Sequence, residues 1–445
     1  MDQVGIMEQK NLAIITYGCQ MNEYDSEMVA GVLQAQGGYR LIDDLEQAQV
    51  ILLNTCSIRE KAEQKVFSEL GRLKQLKHKN PDLIIGVGGC IAQREGYRIM
   101  ERSPQVDLVF GTRNIKLLPQ LLAEVINKKA KIVNTEPLLE DINPTYIERK
   151  GKVKAWISIM QGCNNFCAYC VVPYTRGPQQ SRPSWQIEQE VKDLAQQGFK
   201  EITLLGQNVN SYGQDLNGEI DFPDLLALLN QVEGIERIRF VTSHPKDFSE
   251  RLIKAMAELP KVCESIHLPV QSGSNYIMER MNRKYRIEDY VDKVEQLRTR
   301  LPQAGITSDI IVGFPGEREE DFCQTEELIR TIEYDNIFLF KYSARPETPA
   351  ASFPGQVNEN IKQERFNRIL SLQKSITFEK NQSLEGSVQE ILVEGGSKKN
   401  PERLTGRTRN NKIVNVDGSD SLIGKKVMIK IVRAKLYSLE GQLLN

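Results

Sequence analysis

The chain has almost no net charge. Its 58 Lys and Arg against 59 Asp and Glu leave a formal charge of −1 over 445 residues, so no molecule-wide field announces a nucleic acid as partner. It lacks any apolar run long enough to span a bilayer. Its first residues, MDQVGIMEQKN, show no basic-then-apolar signal pattern. A cytoplasmic, monomeric protein without membrane contact is the expectation. Histidine is scarce at three residues, and cysteine stops at eight. In a reducing compartment, clustered cysteines suggest metal binding or catalysis rather than disulfides.

What is present starts with the run GCNNFCAYC. Cys163, Cys167 and Cys170 stand there at a CxxxCxxC spacing, after the strand-like stretch 153–159 and with Tyr169 just before the last thiol. Iron–sulfur clusters are held by Cys thiolates, normally four. Three from one short loop leave one iron of a 4Fe–4S cluster open, and an open metal position is where chemistry occurs. A zinc knuckle is the alternative. Structural zinc sites usually show two CxxC-like pairs and a fourth ligand, and no further Cys or His lies close by in sequence. The spacing resembles that of radical S-adenosylmethionine (SAM) enzymes, in which the open iron takes the amino and carboxylate groups of SAM.

Upstream, residues 11–127 alternate apolar runs with helical patterns. The runs 12–16, 50–53 and 83–87 are separated by helix-like stretches such as 26–36 and 59–77, which predicts a wound parallel α/β sheet. Each run leads into a cysteine: TYGC to Cys19, LNTC to Cys56, VGGC to Cys90. Parallel strands deliver their C-terminal ends to one edge, where such sheets bind ligands. The three cysteines should therefore meet in space as a second cluster site. Gly18, Gly88 and Gly89 would give backbone room for an inorganic guest. Three separate buried cysteines are the alternative, since free Cys is commonly buried. The charged stretch 128–152 reads as a linker with little structure of its own.

Six apolar runs follow within 153–378, at 153–159, 201–205, 237–241, 265–268, 307–312 and 336–340. Helical patterns separate them, and repeated βα units predict a partial (β/α)6 barrel with functional loops after its strands. Those loops are rich in Gly, Asn, Ser and Gln, which suits a polar cofactor. Gln207, Asn208, Ser243, His244, Gln271 and Ser272 are the candidates, although each loop alone is also ordinary turn chemistry. Cys263 and Cys323 read as packing residues.

Residues 382–445 change character. Runs at 388–393, 412–416, 426–432 and 435–439, divided by turn signals, predict a small OB-like β-barrel. This segment holds eleven Lys or Arg and seven Asp or Glu. The cluster Lys398, Lys399, Arg403, Arg407, Arg409 and Lys412 is the candidate RNA-binding patch. A solvated loop face is the alternative.

Together the three blocks resemble the methylthiotransferase family of radical SAM enzymes over nearly the whole length. The likeness rests on TYGCQMNEYDSE (16–27), NTCSIREKAEQK (54–65), GGC (88–90), QGCNNFCAYCVVPYTRG (161–177) and LGQNVNSYG (205–213). CQMN and GQNVNSY point to the branch that acts on N(6)-(dimethylallyl)adenosine next to the anticodon in tRNA. The chain departs from the pattern at Pro178, Gln179 and Gln180, where the family often has an acidic residue before SR; a charge pair at that spot is in question.

The resemblance implies an N-terminal auxiliary-cluster domain, a radical SAM core and a C-terminal TRAM domain. It implies two 4Fe–4S clusters, one binding SAM on Cys163, Cys167 and Cys170 and an auxiliary one on Cys19, Cys56 and Cys90. An electron from a reductase would cleave SAM to a 5′-deoxyadenosyl radical. A second SAM would methylate sulfur drawn from a sulfur source, and carbon 2 of the adenine in a tRNA anticodon stem–loop would receive the methylthio group. Tyr169 would pack on the SAM adenine. Arg176, Arg182, Arg280, Arg283 and Lys284 are candidates to meet the SAM carboxylate or RNA phosphates. A patch for the prenyl group is expected but has no sequence signature. Two other readings stay open: a methylthiotransferase acting on threonylcarbamoyladenosine tRNA or a ribosomal protein, and a non-catalytic RNA-binding protein with metal as scaffold.

Overall fold

The computed structural model describes residues 9–444 apart from 57–59, 139–141, 145, 398–399 and 401. The chain divides into two compact units. Residues 1–150, 161–163 and 171–180 make up the first; residues 151–160, 164–170 and 181–445 make up the second.

The first unit is built on one parallel sheet. Its strands are β1 (Lys10–Thr16), β2 (Tyr39–Leu41), β3 (Val50–Thr55), β4 (Ile84–Gly89), β5 (Leu108–Phe110) and β6 (Ile132–Asn134), in the order β2-β1-β3-β4-β5-β6. Strand β3, VILLNT, is buried at every position, as expected where helices cover both faces of a parallel sheet. Two apolar clusters, one around Ile51, Leu53 and Ile85 and one around Leu12, Leu33 and Leu52, lie against it. Each such fully buried side chain stabilises the fold by roughly 1.5–3 kcal/mol. Strands β1, β3 and β4 match the three predicted runs and are adjacent. The stretch 128–152 is not structureless, because Ile132–Asn134 pairs with β5 as the edge strand.

The second unit begins with the predicted six-stranded half-barrel. Its strands are β7 (Lys154–Ser158), β8 (Glu201–Leu205), β9 (Arg237–Phe240), β10 (Ser265–His267), β11 (Gly305–Val312) and β12 (Asn336–Lys341). They form two parallel sheets, β9-β8-β7 and β10-β11-β12, joined by a single bridge from Ile238 to Val262. Helices such as Ser184–Gln196, Ile287–Arg300 and Glu319–Ile332 cover the outside. One large core runs between strands and helices.

The helix Glu359–Gln382 leads into a closed five-stranded barrel. Its strands are β13 (Val388–Gly396), β14 (Leu404–Thr408), β15 (Ile413–Val416), β16 (Lys426–Ala434) and β17 (Leu439–Leu443), in the order β13-β14-β15-β17-β16. Strand β14 was not among the predicted runs. Its inward positions are Leu404, Gly406 and Thr408, so a glycine and a threonine mask the apolar alternation. Strand β17 starts at Leu439, where the predicted run 435–439 ends. Its inward Gly441 leaves no room for more: an added Cβ would stand 2.7 Å from Ile429 Cδ1.

Candidate functional site

The first unit brings Cys19, Cys56 and Cys90 to one edge. Cys56 directly follows β3, and Cys90 follows β4 as the first residue of a short helix. Cys19 lies three residues beyond β1 and N-caps the helix Gln20–Gly37. Asn22 of that helix accepts from the Cys19 N–H at 3.4 Å and donates to Asn54 Oδ1 at 3.1 Å and to Thr55 O at 3.2 Å. Asn54 in turn donates to Asn22 O and Ser26 Oγ, and Thr55 Oγ1 to Gly88 O at 2.6 Å. This buried lattice fixes the cysteine-bearing segments to one another. The glycines serve it differently from the expectation. A Cβ on Gly18 would lie 2.8 Å from Cys56 Cβ, and one on Gly89, whose φ is +89°, would strike the Thr55 backbone. Their space lets the strand ends close on each other.

Charge at this edge comes from Arg176. Its Nη2 donates to Asp25 Oδ2 at 2.6 Å, and both side chains are buried. The Cys19 thiol is lowered to about 6, chiefly by a hydrogen bond with Cys56 and then by Arg176, against the opposing effect of burial. Burial pushes Cys90 up, with Arg176 opposing. Arg176 Nη1 is buried and has no hydrogen-bond partner among the described residues. Three thiols, one disposed to ionise, and a buried cation with a spare donor form a donor set that fits an anionic iron–sulfur cluster. Among the described residues no three Cys, His, Asp or Glu close on a point that one ion would fill. A cluster spreads its ligands over several irons and asks for a ring instead.

Cys163 belongs to the first unit, where its N–H donates to Gly177 O at 3.2 Å. Cys167 and Cys170 belong to the second, and the Cys170 N–H donates to Cys167 O at 2.9 Å. Buried Arg283 organises this turn. Its Nη1 is 3.4 Å from Cys167 Sγ and 3.3 Å from the Tyr169 hydroxyl, and its Nη2 donates to Pro269 O at 2.6 Å. The Tyr169 ring lies edge-on to Phe314, with centroids 6.5 Å apart. The arginines expected at SAM or RNA are therefore largely internal. Arg182 donates to Ser158 O and Glu190, and Arg280 to Pro315 O.

Of the mouth residues, Asn208 and Ser272 are engaged within the protein. Asn208 accepts from the His244 N–H and donates to Asp247; Ser272 Oγ accepts from the Ser274 N–H. Gln207 is half-buried beside Asn208. Ser243 Oγ, His244 Nε2 and Gln271 Oε1 are buried with no partner among the described residues. Orphaned buried polar atoms are rare in native folds, and three at the carboxyl ends of barrel strands fit a polar cofactor. His244 Nδ1 accepts from the Lys246 N–H at 3.2 Å, which leaves Nε2 as the protonated, donating nitrogen. Burial, then Arg283, lowers its pKa to about 2, so the ring is neutral. Thr242 and Gln271 hold φ of +69° and +75°. For a β-branched residue such as Thr242 that is a strained backbone, typical of functional loops.

One layer below, His267 Nε2 lies 3.5 Å from Asp309 Oδ1, and its ring is edge-on to Phe338 at 5.6 Å. Phe338 is 43% exposed although it lies within a strand. Sequence reasoning missed these residues because 307–312 and 336–340 read as plain core strands. The half-buried alternation Thr307, Asp309, Ile311 along β11 was the signal for an open inner face. Cys263 is buried as expected, whereas Cys323 is exposed on its helix.

Four residues of the basic loop expected to bind RNA are engaged within the protein. Lys398 and Lys399 lie outside the described residues. Arg409 pairs with Glu264 at 2.8 Å and Lys412 with Asp335 at 2.7 Å. Arg407 pairs with Glu394 at 3.2 Å, and Arg403 with Asp417 at 2.8 Å. Arg237 Nη1 donates to Arg407 O at 2.6 Å, and Arg239 donates to Thr408 O and Arg409 O. The β14–β15 turn is thus seated under the amino ends of β9 to β12, away from the mouth.

Three family models match the chain: Uncharacterized protein family UPF0004 over 11–111, Radical SAM superfamily over 157–329 and TRAM domain over 382–444. A tRNA-2-methylthio-N(6)-dimethylallyladenosine synthase of Thermoanaerobacter sp. (strain X514) is 50% identical, covering 97% of this chain and 92% of its own. One of Carboxydothermus hydrogenoformans is 47% identical, covering 98% and 100%. Among solved structures, the radical S-adenosylmethionine methyltransferase TsrM from Kitasatospora setae shares the fold with a TM-score of 0.57 at 15% identity, covering 77% of both chains. The cobalamin-dependent S-adenosylmethionine radical enzyme OxsB gives 0.53 at 14%, covering 83% and 56%. The chain belongs to the tRNA-2-methylthio-N(6)-dimethylallyladenosine synthase family of radical SAM proteins.

Proposed function

We propose that this enzyme replaces the hydrogen on carbon 2 of N(6)-(dimethylallyl)adenosine, beside the anticodon of tRNA, with a methylthio group. It works with SAM and two 4Fe–4S clusters. The observation that supports this best is the gathering of Cys19, Cys56 and Cys90 at adjacent strand ends beside Arg176, in a chain with a separate CxxxCxxC loop. Cys163, Cys167 and Cys170 would hold the SAM-binding cluster, and Cys19, Cys56 and Cys90 the auxiliary one. When bound, these groups supply the one-electron chemistry and the sulfur that an unactivated aromatic C–H bond requires.

The chain's own part is holding, orienting and excluding water. Arg283 fixes Cys167 and Tyr169 in one geometry. Ser243, Gln271 and the neutral Nε2–H of His244 are the free polar groups for SAM. Phe338, open on the inner face of β12, is our candidate contact for the dimethylallyl group. Loop bases are unpaired, so swinging the target adenosine into a pocket costs little. A reductase and a sulfur source are needed as partners, and we place the monomeric enzyme in the cytoplasm. Among the described residues no helix is long and apolar enough to cross a membrane.

Mass spectrometry of nucleosides from bulk tRNA tests the reading. Disrupting the gene should remove the methylthiolated nucleoside and leave its prenylated precursor. An unchanged profile, or loss of a methylthiolated threonylcarbamoyl nucleoside instead, would refute it.

A further inference from the structure

We propose that the outward face of β16, with the turn that follows it, is the surface that holds the phosphate backbone of the tRNA. The inference rests on the tRNA-modifying reading and says where the RNA is gripped. Along β16, Ile429 and Ile431 are buried in the small barrel, while Lys426, Met428, Lys430 and Val432 are exposed. A register shift between Ile431 and Arg433 interrupts the pairing with β17, and Val432 and Arg433 are both left exposed. From Lys425 to Lys435 the chain carries five cations and no Asp or Glu.

Two of the five are paired within the chain, Lys426 with Glu236 at 3.3 Å and Lys435 with Glu440, and Arg433 stands opposite Glu440 on β17. Among the described residues, no ion pair engages Lys425, Lys430 or Arg433, whereas Arg403, Arg407, Arg409 and Lys412 each face a carboxylate of this chain. Apolar and aromatic side chains stand between the free cations. Met428 is 47% exposed, Val432 51% and Tyr437 57%, and Val388, paired with Lys430 across β13, is 50% exposed. Unpaired cations interleaved with apolar and ring surfaces suit an RNA strand: the cations take phosphates, and the other groups cover sugar or base. The charge complementarity selects a polyanion, and the flat strand face suits an extended one.

The test uses the full-length protein and a fluorescein-labelled anticodon stem–loop RNA, with binding read by anisotropy from about 50 to about 200 mM KCl. The variant K430Q/R433Q should bind about tenfold or more weakly at the low end. Its plot of log affinity against log salt should be shallower by about two. R403Q/R407Q should keep the wild-type slope. Equal slopes for wild type and K430Q/R433Q, or flattening in R403Q/R407Q instead, would overturn the proposal while leaving the tRNA reading intact. A wild-type protein that shows no salt-dependent RNA binding would sink the tRNA reading itself. Loss of adhesion to vesicles containing anionic lipid, with RNA binding kept, would make the face a membrane contact and also overturn the proposal.

Discussion

Arg176 and Asp25, separated by 150 intervening residues, form an ion pair with Nη2 and Oδ2 2.6 Å apart, out of water and beside the thiols of Cys19 and Cys90. Removing one partner of such a pair strands the other charge, at a cost of about 3–5 kcal/mol. Arg176→Gln should therefore lower the denaturation midpoint of the metal-free protein sharply. The double variant R176Q/D25N should recover much of the loss, because neither charge is left alone. In the cluster-loaded R176Q protein the midpoint potential of the auxiliary cluster, followed by EPR, should move to more negative values. A potential that stays put would mean the guanidinium does not act on the cluster.

Iron content separates the two triplets. The loaded wild-type protein should carry about eight irons if both clusters are 4Fe–4S. Mutating Cys19, Cys56 and Cys90 together to Ala should leave about half. Cys167→Ala should also halve the iron, and it alone should abolish SAM cleavage. Iron unaffected by the first set would remove the auxiliary cluster.

His244 gives the fold a pH dependence of known sign. Its folded pKa is about 2, against an ordinary 6.5. Below pH 6.5 the unfolded chain takes up a proton that the folded one refuses. Stability should fall with pH from there towards 2, by about 1.4 kcal/mol per unit from this residue. Above 6.5 its contribution is constant. Urea midpoints at a series of pH values should show a flatter acid limb in His244→Gln than in the wild type. Parallel limbs would contradict a neutral buried ring.

Phe338→Ala tests the prenyl contact. Affinity for a prenylated stem–loop should drop about tenfold or more, while an unprenylated one should bind as before. An equal drop for both would make Phe338 a general packing residue.

Much of this was readable from sequence, for definable reasons. Runs such as VILLNT and EITLL are apolar because both faces of a parallel strand are covered, so the cysteines that follow them are legible as neighbours in space. Short edge strands such as Tyr39–Leu41 and Ile132–Asn134 carry too few residues for a period to show. Gly406 and Gly441 hide the inward positions of β14 and β17. The larger loss concerns charge. Arg403, Arg407, Arg409 and Lys412 look like a free basic patch because two of their partners, Glu264 and Asp335, sit far off in sequence, and the other two, Glu394 and Asp417, lie on other segments of the barrel. A count of charges records no pairing. The same blindness hid Asp25 as the partner of Arg176.

The seating of the β14–β15 turn beneath β9 to β12 turns the small barrel into a ruler. Arg237, Arg239, Arg409 and Lys412 clamp it to the floor of the half-barrel, so its outer wall stands a set distance from the opening above. An RNA held along that wall can offer only the nucleotide that lies one fixed span from the grip. On the proposed grip, choice of position in the loop would follow from length, before any base is read.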